Sequence, residues 1–241
     1  MINYPNVLII GFGHRARNGK DTVADILKEK FDNVEIIHWA DGVYEECSNK
    51  ESKYPLIKLE VVTPNKIYYS VLLNKETGER EAISNKADPF LHKIFTERNI
   101  EEYFKMDKKD PEILQFWGTN FRRTLCDSNY WIKLTLEKAN NLAEKMDGAK
   151  GMIIIPDTRF INEVKALEQS QGFYIKVIRN NDNGSQYIAK DRDPNHPSEA
   201  ELEGYPAYAT ITAKNLNELN TEVNKFFHRF IKYHNNDILK D

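Results

Sequence analysis

Lys20 follows a glycine and stands two residues before a threonine, in Gly13-His14-Arg15-Ala16-Arg17-Asn18-Gly19-Lys20-Asp21-Thr22. An apolar run, Val7-Leu8-Ile9-Ile10-Gly11, leads into this segment, and an amphipathic helical pattern leads out of it. A loop between a strand and a helix can cradle polyphosphate, because consecutive backbone N–H groups converge on the anion, the helix presents its positive end, and a lysine neutralises the outer phosphates. On that reading Lys20 is the lysine; Gly13, Arg15, Arg17, Asn18, Gly19 and Asp21 surround the anion, and Thr22 offers a hydroxyl to magnesium. Two alignments are open. Read rigidly, His14 takes the first glycine's place; read flexibly, the loop is one residue longer and Thr22 serves from one position further on. Gly11-Phe12-Gly13-His14-Arg15-Ala16 also fits a dinucleotide G-x-G-x-x-A turn, which would need Asp32 or Glu35 as ribose partner and leaves Gly19-Lys20-Asp21-Thr22 without a role. A plain strand-to-helix turn is the remaining alternative.

Three further clusters carry chemistry. Asp157-Thr158-Arg159 follows Met152-Ile153-Ile154-Ile155-Pro156, so Asp157 stands at the carboxyl end of a buried strand, where a carboxylate can order magnesium-bound water and Arg159 can grip a phosphate through two parallel bonds. Asp157 is equally suited to cap the helix that follows. Trp117, Arg122 and Arg123 lie in one helical stretch followed by Asp127 and Trp131, an arrangement that can hold a phosphate and flank a base, although large aromatics such as Trp131 are mostly core residues. Arg179 ends a strand, and the polar stretch 180–198, with Lys190 and Arg192 and then His196-Pro197-Ser198-Glu199, has the composition of a cover or of a solvated loop.

The elements that position these residues alternate between β-rich runs and helical patterns, which predicts a parallel sheet with crossover helices. Strands are predicted at Val7–Gly11, Glu35–Trp39, Met152–Ile155, Phe173–Ile178 and Ala209–Thr212; helices at Thr22–Phe31, at Asn162–Gln171 up to Gly172, and at Leu216–Tyr233. The last helix repeats Leu216, Leu219, Val223, Phe226, Phe227 and Phe230 at helical spacing, which reads as core packing. Leu56 to Ser84 breaks the alternation: two β-rich runs, Ile57–Val62 and Ile67–Leu73, and a turn at Gly78 predict an inserted antiparallel ribbon, a candidate pocket wall or homodimer contact.

The chain has 241 residues, enough for a substantial core, a formal net charge of −3 and two cysteines without metal-ligand spacing. The charge gives no support to nucleic-acid binding. Cys47 and Cys126 suit a reducing compartment, no secretory pattern is expected at the N-terminus, and no stretch approaches the ~20 apolar residues of a membrane span.

Asn18-Gly19-Lys20-Asp21-Thr22-Val23-Ala24-Asp25, Trp117-Gly118-Thr119 leading to Tyr130-Trp131-Ile132-Lys133-Leu134, Ile155-Pro156-Asp157-Thr158-Arg159 with Glu163, and His196-Pro197-Ser198-Glu199-Ala200 occur in an order and spacing that resemble the bacteriophage deoxynucleoside monophosphate kinases, a branch of the P-loop nucleotide kinases. The resemblance spans nearly the whole chain. It implies a single three-layer α/β/α domain over 1–241 with a parallel central sheet, an acceptor-binding insertion at 42–110 and a lid-like loop at 180–198. It implies ATP as phosphoryl donor with Mg2+, a deoxynucleoside monophosphate as acceptor, and a cytoplasmic setting, the host's for a phage protein. On this basis Lys20, Asp157, Arg159 and Arg179 are the expected catalytic residues, with Arg192 joining the ATP site. Thr22 and Asp157 serve the metal, and Asp41, Trp117, Arg122, Arg123, Asp127, Arg159 and Glu199 face the acceptor. The chain departs from the family in His14 and Arg15 within the first loop and in the Arg122-Arg123 pair. A kinase for another phosphorylated acceptor and a non-catalytic nucleotide-binding or dinucleotide-binding module are the competing functions.

Overall fold

The computed structural model describes residues 6–48, 57–63, 66–74, 79–84, 114, 118–119, 122–123, 127–146, 148–190 and 193–234, with backbone alone for 47–48 and for 57–84. Two compact units divide the chain, one made of Met1–Trp39 with Ile132–Asp241 and the other of Ala40–Trp131.

The first unit holds a five-stranded, wholly parallel sheet in the order β2-β6-β1-β7-β8. Its strands are β1 (Val7–Gly13), β2 (Val34–Ile36), β6 (Gly151–Thr158), β7 (Phe173–Arg179) and β8 (Ala209–Ala213). The helices of this unit are α1 (Lys20–Lys30), α4 (Ile161–Gln169), the short α5 (Pro197–Ala200) and α6 (Leu216–Tyr233), together with most of α3 (Tyr130–Lys145). Helices cover both faces, the three-layer α/β/α arrangement expected of near-continuous apolar strands. On one face Val23 and Leu27 of α1 and Val223, Phe227 and Phe230 of α6 pack on Ile10, Phe12, Ile154 and Val177. On the other, Ala139 and Ala143 of α3 and Leu167 of α4 pack on Ile9, Ile153 and Ile155. Ile10 and Ile153 to Ile155 are wholly buried, each contributing about 1.5–3 kcal/mol of transfer free energy. The aromatic stripe of α6 is core as predicted, except that Leu216 is exposed and Phe226 only partly covered.

The second unit contains α2 (Asp41–Ser48) and a separate antiparallel sheet ordered β3-β4-β5, formed by β3 (Ile57–Thr63), β4 (Lys66–Asn74) and β5 (Glu79–Ser84). The expected turn residues Pro64, Asn65 and Gly78 lie outside the described residues. Among the described residues no helix is long and apolar enough to cross a membrane.

The main departure from the predicted elements concerns β2, which ends at Ile36 instead of Trp39. Ile37 still donates its N–H to Ile154 O at 3.0 Å, but the Trp39 N–H goes to Asp157 Oδ1 at 2.9 Å, so a side-chain carboxylate takes the place of a ladder carbonyl.

Candidate functional site

The site is built at the carboxyl ends of β1, β6 and β7, where open parallel sheets receive ligands. Gly11 and Gly13 allow close packing within the strand. A Cβ on Gly11 would sit 2.2 Å from Leu167 Cδ1, and one on Gly13 would sit 2.4 Å from Tyr174 Cε2 and 2.8 Å from Thr158 O. The left-handed backbone that opens the loop falls on His14, at φ 98°. His14 is the position that the rigid alignment gives to the first glycine. A side chain held in so sparsely populated a region costs on the order of 1–3 kcal/mol and persists only when its surroundings fix it. Arg17 at φ 57° and Gly19 at φ 91° complete the loop's reversals.

Gly19 is the N-cap of α1 and brings no side-chain cap, so the first-turn N–H groups of α1 keep their capacity for an anion. Lys20, the first helical residue, is only 5% exposed and donates from Nζ to Arg15 O at 2.7 Å. Its ammonium is held down to about 8 by burial, with the charge of Arg159 adding to the fall and Asp21, Glu199 and Asp157 opposing it. These four predicted site residues therefore surround Lys20 electrostatically.

Asn18 knits the loop together. Its Nδ2 donates to Ala16 O at 2.9 Å and to Arg15 O at 3.2 Å, while its Oδ1 accepts from the Arg179 N–H at 2.7 Å. Arg15 points to the later chain: Nη1 donates to Pro194 O at 3.0 Å and Nη2 pairs with Glu203 at 2.6 Å. The Glu199 carboxylate, with a side chain 4% exposed, accepts from the Ala16 N–H at 2.8 Å and from Arg159 Nη1 at 2.7 Å. It thus links the 14–19 loop to the strand-end arginine. Glu163, at the start of α4, accepts from the N–H groups of Arg159 and Phe160 at 2.7 and 3.1 Å, which orients that turn.

Asp157 is half-buried and aligned by the Trp39 N–H, while Thr158 Oγ1 accepts from Trp39 Nε1 at 3.1 Å. A cleft of about 400 Å³ adjoins the loop, lined by Arg17, Gly19, Thr22, Arg179, Lys214 and Leu216 among others. Thr22 is half-buried there and Asp21 is exposed. The Arg179 guanidinium lies 4.6 Å from the centre of the Tyr187 ring. Arg192 lies outside the described residues.

In the second unit Asp41 opens α2 and is half-buried, as is Arg123. Arg122 is 1% exposed; its Nε donates to Glu46 Oε2 at 3.0 Å, and its guanidinium lies 4.4 Å from the centre of the Tyr130 ring, whose hydroxyl donates to Glu46 Oε1 at 2.6 Å. Asp127 accepts from the Asn129 N–H at 2.9 Å just before α3. Trp131 is a core residue, 1% exposed, with Nε1 donating to Gly118 O at 2.7 Å. Trp117 lies outside the described residues.

Sequence reasoning passed over Trp39, Glu46, Gln186 and Glu203. Trp39 contributes a backbone N–H, which side-chain type does not announce. Glu46 and Glu203 sit in ordinary polar stretches whose partners lie 76 and 188 residues away in the chain. Compared with known proteins, the chain matches no protein-family model and no curated sequence.

Proposed function

We propose that this chain is a nucleoside monophosphate kinase that transfers the γ-phosphoryl group of ATP to a deoxynucleoside monophosphate, giving the diphosphate and ADP. The observation that carries this reading is Lys20, a buried lysine on the first turn of an uncapped helix, with its ammonium set against the backbone of a loop that has left-handed residues at both ends. A site of that form attracts a polyphosphate by charge, by helix dipole and by oriented N–H groups together. The cleft beside Gly19 and Thr22 suits the donor's nucleoside.

Phosphoryl transfer between two anions needs alignment and charge compensation more than a nucleophile from the protein. The acceptor's phosphate oxygen forms the new bond to Pγ as the bond from Pγ to the β–γ bridging oxygen breaks, and the electrons of that bond leave with ADP. Lys20 and the loop N–H groups hold the β and γ phosphates, and Arg159, steadied by Glu199, compensates the transferring group. Thr22 and Asp157 are hard oxygen donors suited to magnesium, which typically takes one or two protein ligands and keeps water and phosphate for the rest. When bound, the metal supplies positive charge at the phosphates. Arg123 is the better acceptor-phosphate ligand of its pair, because Arg122 is buried against Glu46 and Tyr130. Asp41, Trp117 and Asp127 stay with the acceptor in this proposal, and Arg179 and Arg192 with the donor.

The strand order weighs against a dinucleotide module. Counted among themselves, the five strands run 2-3-1-4-5, whereas a dinucleotide fold sets its second strand directly beside its first. Its fingerprint glycines, Gly11 and Gly13, already have a packing role.

The test is magnesium-dependent ADP formation from ATP with a panel of deoxynucleoside and ribonucleoside monophosphates, products being separated by chromatography. Turnover with deoxynucleotides, lost in Lys20→Ala and in Asp157→Asn, is expected. ATP binding with no turnover across the panel would shift the reading to another phosphorylated acceptor, and absence of ATP binding would end it.

A further inference from the structure

We propose that Gln186 is the positioning residue of the phosphate loop, holding His14 in the left-handed conformation that a glycine would adopt unaided. The inference rests on the reading of this loop as a polyphosphate site and adds how the chain shapes the loop without its first glycine.

Gln186 Nε2 lies 3.1 Å from His14 Nδ1, across 172 residues of sequence. An amide N–H can only donate, so Nδ1 carries the lone pair and the ring's single proton resides on Nε2. The ring is neutral, because burial pulls His14 down to about 4, with Lys176, Arg15 and Lys20 adding to the fall and Glu203 opposing it. A neutral ring keeps the acceptor that Gln186 requires.

The carrier of Gln186 is a tight hairpin. Asn180 and Gln186 form an antiparallel bridge, Tyr187 donates its N–H to Arg179 O at 2.8 Å, Asn181 donates to Ser185 O at 2.8 Å, and Gly184 turns the chain at φ 83°. The root of that hairpin donates the Arg179 N–H to Asn18 Oδ1. The hairpin therefore grips the loop at two points, His14 near its start and Asn18 near its end. Gln186 reaches His14 from a frame fixed by backbone hydrogen bonds, and the loop's shape depends on a distant segment.

The test is a double-mutant cycle on the full chain, with inorganic tripolyphosphate as the probe and ATP as a control, both followed by calorimetry. Gln186→Met keeps the length of the side chain and removes its donor. We expect it to weaken tripolyphosphate binding by about fivefold to tenfold, the size of one hydrogen bond. In a His14→Gly background the same change is expected to cost less than about twofold, since glycine holds the conformation alone. A ligand-free readout accompanies the cycle: the nitrogen spectrum of His14, identified by its absence in His14→Gly, changes at Nδ1 in Gln186→Met. Equal losses in both backgrounds, or no loss in the parent, would overturn the inference while leaving the loop reading intact. Failure of the unaltered chain to bind either probe would instead remove the loop reading and the inference together.

Discussion

Lys20 carries a buried charge whose cost to the fold depends on pH. Its ordinary value is 10.5 and in the folded chain it titrates near 8, so between those values the unfolded chain holds a proton that the folded chain has released. Over that window the lysine's contribution to stability rises with pH. In the proposed function anion affinity moves the opposite way, because polyphosphate favours the protonated form and must restore the proton that the free protein has lost. ATP affinity is therefore expected to fall as pH rises through about 8, approaching tenfold per unit, while the nucleotide's own phosphates are already ionised. Calorimetric titrations between about pH 7.5 and about 9.5 check this, with Lys20→Arg, which stays charged throughout, as the flat control. A flat profile in the unaltered chain would show that the Lys20 ammonium keeps its proton across this range. The position of the lysine was legible in the sequence, since its spacing from Gly19 and Thr22 sets it at the strand-to-helix turn, where the structure buries it on the first turn of α1. Its partners were less so: Arg15 and Asn18 read as phosphate ligands, whereas the bonds they make tie the loop to Pro194, Glu203 and Arg179, contacts that run over more than 150 residues of sequence.

At the scale of elements, most strands and helices follow from apolar patterning, and the ends are where tertiary contacts override it. The sequence predicts α4 over Asn162–Gln171, up to Gly172. The structure ends it at Gln169, and the left-handed residue is Gln171, at φ 57°. Gly172 N–H reaches Leu167 O at 2.8 Å and Gln171 N–H reaches Glu168 O at 3.0 Å, the pair of bonds that closes a helix through a left-handed residue. That conformation costs a side chain roughly 1–2 kcal/mol, part of which glycine gives back through its larger unfolded-state entropy. Gln171→Gly is thus expected to stabilise the chain by about 1 kcal/mol, read as a higher urea midpoint at unchanged slope. Gln171→Ala, which keeps a Cβ, is expected to give no such gain. A Gln171→Gly midpoint at or below that of the parent would show that the side chain contributes more than its backbone strain costs.

At the scale of the molecule, local patterning predicted five parallel strands, whereas their order is set by which apolar faces find cover and by crossover geometry. The decisive pairing, β1 with β6, joins Val7 to Gly151 and Ile10 to Ile154, partners more than a hundred residues apart, and no short window of sequence encodes it. Its consequence is positional, since β6 beside β1 brings Asp157 to the same sheet end as the 14–19 loop. The same order ranks the strands by protection. β1 and β6 each have a hydrogen-bonded strand on both sides and apolar cover on both faces, while β2 has three residues and β2 and β8 each have one strand neighbour. Opening β1 or β6 must break two ladders and expose wholly buried isoleucines, so their amides are expected to exchange near the global limit. Native-state hydrogen exchange should therefore be slowest at Ile9, Ile10, Ile153 and Ile154, and measurably faster along Ala209–Ala213. Protection of β8 equal to that of β1 would mean that the sheet opens as one cooperative block. In that case the edge next to Arg179 and the cleft it lines would be no softer than the centre, and nucleotide entry in the proposed function could not rely on local opening there.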